Sequence, residues 1–140
     1  MKDILFRGMT EDGKWVEGGY CNGCEQVLDF VDGCRQWRRH YIAVDTIVNR
    51  GSSNKMLLYD VLPETIGQYT GLCDKNGVKI FEGDIVENDE DLYVVEWSED
   101  EARFVLNGDG VQASFDNFWG YELEVIGNIY ENKELLEVVK

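Results

Sequence analysis

The chain has one proline and one histidine among 140 residues, and no apolar run near the length of a membrane span. A helical bilayer crossing takes about 20 consecutive apolar residues, so that class is excluded. The single histidine, His40, stands in a basic stretch with no serine or cysteine elbow beside it, which removes the usual pairing of a nucleophile with an imidazole base. There is no P-loop and no dinucleotide fingerprint. The glycines between 67 and 83 occur in turn contexts, and no helical pattern follows them. Long amphipathic stripes are missing too. The opening "MKDILFRGMT" has neither a long apolar stretch nor a small-residue cleavage site, so a cytoplasmic location is expected.

Positive charge is scarce in one half only. Residues 1–60 hold eight Lys and Arg against nine Asp and Glu, and residues 61–140 hold five against nineteen, giving -1 and -14 of the formal net charge of -15. An acidic field of that size repels phosphate backbones and attracts basic surfaces. Nucleic acid is therefore not an expected partner of the second half. Solubility is the plain explanation of the excess. Imitation of DNA phosphate, by an inhibitor of a host DNA-binding protein, is an alternative that would need carboxylates in helical register.

What the chain does have is short apolar runs of period two, punctuated by Gly, Asn and Asp, in a composition 44% hydrophobic and 12% aromatic. That pattern predicts a mainly β protein with ample core. Ile4 to Arg7 and Lys14 to Tyr20 flank Asp12-Gly13 as a first hairpin. Gln26 to Val31 and Trp37 to Val48 are further strands, and "NRGSSNK" at 49–55 is the candidate boundary. Pro63 predicts a turn or short helix. Asp74-Lys75-Asn76-Gly77 predicts a type I turn ending in a left-handed glycine, and Glu82-Gly83-Asp84 a second turn. Further strands are expected at Val78 to Phe81, Ile85 to Glu87, Leu92 to Trp97, Ala102 to Asn107 and Leu123 to Tyr130. The expected architecture is an N-terminal module of antiparallel hairpins, 1–60, joined to a C-terminal acidic module, 61–140, folded as a small SH3-like β-barrel with a short terminal helix.

Three stretches carry a resemblance. "TIGQYTGLCDKNGVKIFEGDIV" at 65–86, "EVIGNIYENKELL" at 124–136 and the opening "ILFRGMTEDGKWVEGGY" closely resemble the YopX family of phage and prophage proteins. The resemblance implies a small β-rich protein with no established activity and no catalytic residues to carry over.

Several constellations bear on chemistry or contacts. Cys21, Cys24, Cys34 and His40 have the residue types of a Cys3His zinc site, and Asn22-Gly23 between the first two thiols would allow a tight turn. The alternative is a set of reduced thiols on a hairpin, with no cofactor. "RQWRRHY" places Arg35, Arg38 and Arg39 around Trp37 and Tyr41, and such a mixture grips phosphates or docks on an acidic surface. The acidic runs "ENDEDLY" and "WSEDEARF" lack the spacing of a calcium loop. Glu82 and Asp84 could in principle share acid and base roles. Phe115, Phe118, Trp119 and Tyr121 suit a peptide groove or, more simply, core packing. Leu135, Leu136 and Val139 make an apolar stripe on a terminal helix beginning after Asn132, too short to be stable undocked.

The functional expectation is a non-enzymatic protein acting through protein–protein contacts as a homo-oligomer, with a host protein as another partner and no membrane. The DNA-mimic inhibitor is the first alternative, and a metal-dependent or acid/base hydrolase the second.

Overall fold

The computed structural model describes residues 4–29, 33–46, 55–115 and 122–139. The chain divides into two compact units, one spanning Leu5–Ile66 and the other built around Gly67–Lys140. The polar segment expected as the boundary lies outside the described residues except for Lys55.

The first unit contains β1 (Phe6–Met9), β2 (Trp15–Asp29), β3 (Gly33–Thr46) and β4 (Lys55–Asp60), antiparallel in the order β4-β3-β2-β1. Its core is Val16, Ile42 and Val61, with Phe6, Tyr20, Val44, Tyr59 and Ile66 packed around them. Burying a side chain such as Ile42, which is fully enclosed, contributes about 1.5–3 kcal/mol. Pro63–Thr65 form the expected short helix, of 3-10 type. Thr65, buried, fastens it: its hydroxyl donates to the Leu62 carbonyl at 2.6 Å and accepts the Met9 N–H at 2.9 Å.

Two expected strands, Lys14 to Tyr20 and Gln26 to Val31, turn out to be one. β2 runs without a break from Trp15 to Asp29, so Cys21-Asn22-Gly23-Cys24 is extended strand and not a tight turn. Asn-Gly is a turn signal only where the flanking runs pair with each other. Here both sides of it pair with β3, from Gly19 opposite Ala43 to Asp29 opposite Gly33.

The second unit opens with a hairpin of β5 (Gly67–Cys73) and β6 (Lys79–Phe81), whose register shifts between Tyr69 and Cys73. Then come β7 (Asp84–Asn88), β8 (Asp91–Ser98), β9 (Arg103–Gly108), β10 (Val111–Ser114) and β11 (Glu124–Asn128), followed by α1 (Lys133–Val139). The last five strands are antiparallel in the order β10-β9-β8-β7-β11. A closed barrel is not found among the described residues, because β10 and β11 stand at the two ends of that order. Closure is one way to manage sheet edges, and short edge strands are another. The end strands here have four and five residues.

This sheet buries both of its faces. Val86, Val95, Leu106 and Ala113 pack with Ile80 and Leu123 in one cluster. Ile85 and Val94 pack in another with Ile126, Ile129, Leu135 and Leu136. Double burial explains why "DIV" and "YVV" read as apolar runs where a half-solvated strand would alternate.

Candidate functional site

The motifs with the densest chemistry hold backbone. Asp74, 6% exposed, accepts the N–H groups of Asn76 and Val78 on Oδ1 and that of Val125 on Oδ2, each at 2.9 Å. Burial pushes this carboxyl up, but the three amide donors together with the Lys75 cation outweigh it, so its pKa lies below the usual aspartate value. The turn closes with Gly77 donating to the Asp74 carbonyl at 3.0 Å, at φ 82°, as the type I reading predicts. Asp84, almost completely buried, accepts the Phe81 N–H on Oδ2 at 2.8 Å. It therefore serves the turn through that oxygen.

The C-terminal motif is a reciprocal lock. Asn128 accepts the N–H groups of Tyr130 and Glu131 on Oδ1 at 3.0 and 2.9 Å, while Asn132 accepts the Asn128 N–H at 3.1 Å. A Cβ on Gly127 would lie 2.5 Å from the Asn132 oxygen, so only glycine leaves room for it. The expected Asn132 helix cap is thus turned back toward β11, and its carbonyl takes the Leu135 N–H at 3.0 Å. Leu135 and Leu136 are half-buried against Ile85 and Val94, so the stripe expected to join copies is used inside this unit. The Val139 side chain lies outside the described residues.

Glu82 behaves differently. Burial first, and the neighbouring Glu96 charge second, raise its pKa above the usual glutamate value. Glu96 in turn accepts a hydrogen bond from the Asn107 amide. Glu96 and Asn107 line a shallow groove of about 210 Å3 with Val94, Asp109 and Leu136. Neither acidic run forms a metal-ligand cluster; among the described residues no three His, Cys, Asp or Glu side chains are placed to hold a metal ion. Asp89 and Glu90 instead form the two-residue turn between β7 and β8, both at positive φ.

The remaining candidates fall on β2 and β3. β1 reaches only Trp15–Gly18 of β2, and β4 only Tyr41–Thr46 of β3. The His40 carbonyl still accepts the Val61 N–H at 3.0 Å; beyond it the two strands pair solely with each other among the described residues, through Gly23–Asp29 and Gly33–Arg39. They form a β-arm of seven residues a side, roughly 23 Å long at ~3.3 Å per residue. Arg35, Trp37, Arg38 and Arg39 all lie on it, opposite Val27, Glu25, Cys24 and Gly23. Of the zinc candidates, Cys24 is opposite Arg38 and Cys34 opposite Leu28, four positions further along the arm, while exposed Cys21 and His40 lie at its base. The His40 ring stacks on Tyr20, and its Nδ1 shares a hydrogen bond with the Tyr20 hydroxyl at 2.6 Å. Side chains of 23–29 and 33–39 are outside the described residues, as are Phe118, Trp119 and Tyr121. Phe115 packs on the core of its unit.

The family model described as YopX protein matches residues 6–137. The chain belongs to the YopX family. A search of the solved structures finds similarity to the crystal structure of protein EF1440 from Enterococcus faecalis, at 25% identity and a TM-score of 0.55, covering 97% of this chain and 99% of that one. No curated protein matches. The family assignment and the neighbour agree with a mainly β architecture and carry no activity with them. The stretches that carry the resemblance at 65–86 and 124–136 contain the backbone locks described above. Neither the arm nor the raised Glu82 pKa was anticipated. The arm's length depends on long-range pairing, and the pKa on burial first and on a neighbour fourteen positions away in sequence second.

Proposed function

We propose that this YopX-family protein is non-enzymatic and works through protein–protein contacts as a homo-oligomer, with the β2–β3 arm as its docking element. The observation that carries this reading is the arm itself. A two-stranded ribbon without a third strand is marginal in water, and Gly23–Asp29 with Gly33–Arg39 has no third strand among the described residues. Docking against a partner supplies the burial that the ribbon lacks.

Charge favours a copy of the same chain as that partner. Residues 22–40 hold Arg35, Arg38 and Arg39 against Glu25, Asp29 and Asp32, so the arm is neutral on a chain of -15 and is the segment least repelled by another acidic copy. Its arginines meet carboxylates in bidentate fashion where geometry allows. In this proposal the second unit is an SH3-like scaffold: β7 to β10 run as a meander, and β11 returns to the first of them. Asp74, Asp84, Asn128 and Asn132 are occupied with backbone hydrogen bonds, whereas the arm is a feature that folding of the units does not explain.

Sedimentation velocity of the full chain tests the reading. The wild type is expected to sediment as an oligomer at tens of micromolar, and Arg38→Glu with Arg39→Glu to shift it toward monomer with the melting temperature nearly unchanged. A monomeric wild type at that concentration refutes it.

A further inference from the structure

β8 and β9 carry an aromatic pair past the end of the core. Val95 stands opposite Leu106 in the first apolar cluster of the second unit, and two residues further along the same face Trp97 stands opposite Phe104. The two rings meet edge to face, with centroids 5.0 Å apart. Trp97 is nevertheless 45% exposed, and Leu72 of β5 is 41% exposed. Phe104 and Leu72 line a groove of about 230 Å3 together with Thr70, Arg103, Ser114 and Phe115. A continuous apolar strip of this kind marks a contact surface, where exposed side chains scattered singly do not.

The turn that joins the two strands gives this surface its charge. Glu99, Asp100 and Glu101 are all exposed there. Glu101 is taken by Arg103, whose Nε reaches it at 2.9 Å while the guanidinium also donates to Ser114 at 2.7 Å, so the cation beside the groove is neutralised in place. The Glu99 and Asp100 side chains have no hydrogen bond or ion pair among the described residues. A ring face, an apolar groove and uncompensated carboxylates together suit arginine, whose planar guanidinium stacks on aromatics, whose stem lies on apolar surface and whose fork takes a carboxylate. The arm has that chemistry on one strand only. Gly33–Arg39 of β3 holds Arg35, Trp37, Arg38 and Arg39 and no carboxylate, whereas Gly23–Asp29 of β2 holds Glu25 and Asp29 and no cation. We propose that the β3 strand of the arm docks on the Trp97–Phe104 surface of a second copy, with Arg35, Arg38 and Arg39 as the cations for Trp97, Glu99 and Asp100. This rests on the homo-oligomer reading and names the surface that receives the arm.

Glu99→Lys with Asp100→Lys tests it. Both positions are exposed in a turn, so folding tolerates the change, and sedimentation velocity of the full chain is expected to show self-association weakened by about tenfold or more at a nearly unchanged melting temperature. Trp97→Ser is expected to act in the same direction, and Trp97→Phe, which keeps a ring, to lose less. Mixing decides between copies. The turn variant and the variant with Arg38→Glu and Arg39→Glu are each expected to be shifted toward monomer alone and to associate when mixed, because the unaltered arm of the first meets the unaltered surface of the second. A mixture that stays monomeric overturns the inference. An oligomer that survives Glu99→Lys with Asp100→Lys and dissociates on Arg38→Glu with Arg39→Glu also overturns it, while leaving the arm reading intact. A wild type that is monomeric overturns both.

Discussion

Gly83 lies directly under the ring of Tyr130: a Cβ built on it would come within 3.1 Å of the ring carbon Cε2. The same glycine has φ 92°, donates its N–H to the Val95 carbonyl at 2.8 Å and accepts the Ile129 N–H at 2.9 Å. One residue thus ties the turn before β7 to β8 and to the segment after β11. Gly83→Val brings left-handed strain and a clash with Tyr130 together, and is expected to cost about 3 kcal/mol, or roughly 10 °C in Tm. Gly77, also at positive φ but with nothing within 4 Å of its Cβ position, isolates the first effect: Gly77→Ala is expected to cost about 1 kcal/mol. Equal losses at the two sites in thermal unfolding would contradict the role given to Tyr130.

Asp74 makes the fold sensitive to acid. Its folded pKa is depressed below the unfolded value, so its contribution to stability is complete above the usual aspartate range and is lost as pH falls through the folded pKa. Asp74→Asn keeps one acceptor oxygen but sets an NH2 group against an amide donor, and is expected to cost about 2 kcal/mol at neutral pH. The gap between wild type and variant in urea unfolding should narrow steadily once the pH drops below about 4. A gap independent of pH would show that the three amide bonds do not depend on the carboxylate charge.

These locks were legible in the sequence to different degrees, for physical reasons. The Asp74–Gly77 and Glu82–Asp84 turns were readable because their signals are local: a side chain that bonds the backbone two residues on, and a glycine at positive φ. The bond from Asp74 to Val125 spans fifty-one positions, and nothing near Asp74 announces it. β4, β5 and β10 went unread. Lys55–Asp60 follows a polar loop with no alternation, and Gly67 and Gly71 made β5 look like a bend where the structure has an irregular strand. β10 is four residues long, set by its partner β9. The arm was hidden by Asn22-Gly23, whose turn propensity loses to continuous pairing with β3. Arg35, Arg38 and Arg39 were visible as a basic cluster, while their position on a two-stranded ribbon needed the register.

Glu82 shows the opposite pH dependence to Asp74. Its folded pKa is raised by burial and by Glu96, so the stability it confers is complete below the unfolded glutamate pKa and is lost as pH rises through the folded value. At neutral pH the ionised group therefore costs stability. Glu82→Gln, which keeps an acceptor oxygen and removes the charge, is expected to raise Tm at pH 7 and to match the wild type in acid. A variant less stable than the wild type at pH 7 would show that the carboxylate has a compensating cation.

The last prediction separates the terminal helix from assembly. α1 has seven residues, too few to persist alone, so its stability comes from packing. Leu135 and Leu136 lie with Ile85, Val94, Ile126 and Ile129 in one apolar cluster of the second unit, on the face of the sheet opposite to Val86 and Val95. Their truncation removes apolar contact inside a unit, so the effect is first order in the chain itself and independent of concentration. Leu136→Ser is expected to cost about 1–2 kcal/mol for a half-buried leucine, and Leu135→Ser a similar amount, with exchange of the α1 and β7 amides accelerated in both. The oligomer, which the arm holds together in the proposed function above, is expected to survive either change at temperatures where the variant is still folded. Dissociation of a fully folded Leu136→Ser variant in sedimentation velocity would place α1 in the interface and remove the arm as the sole contact.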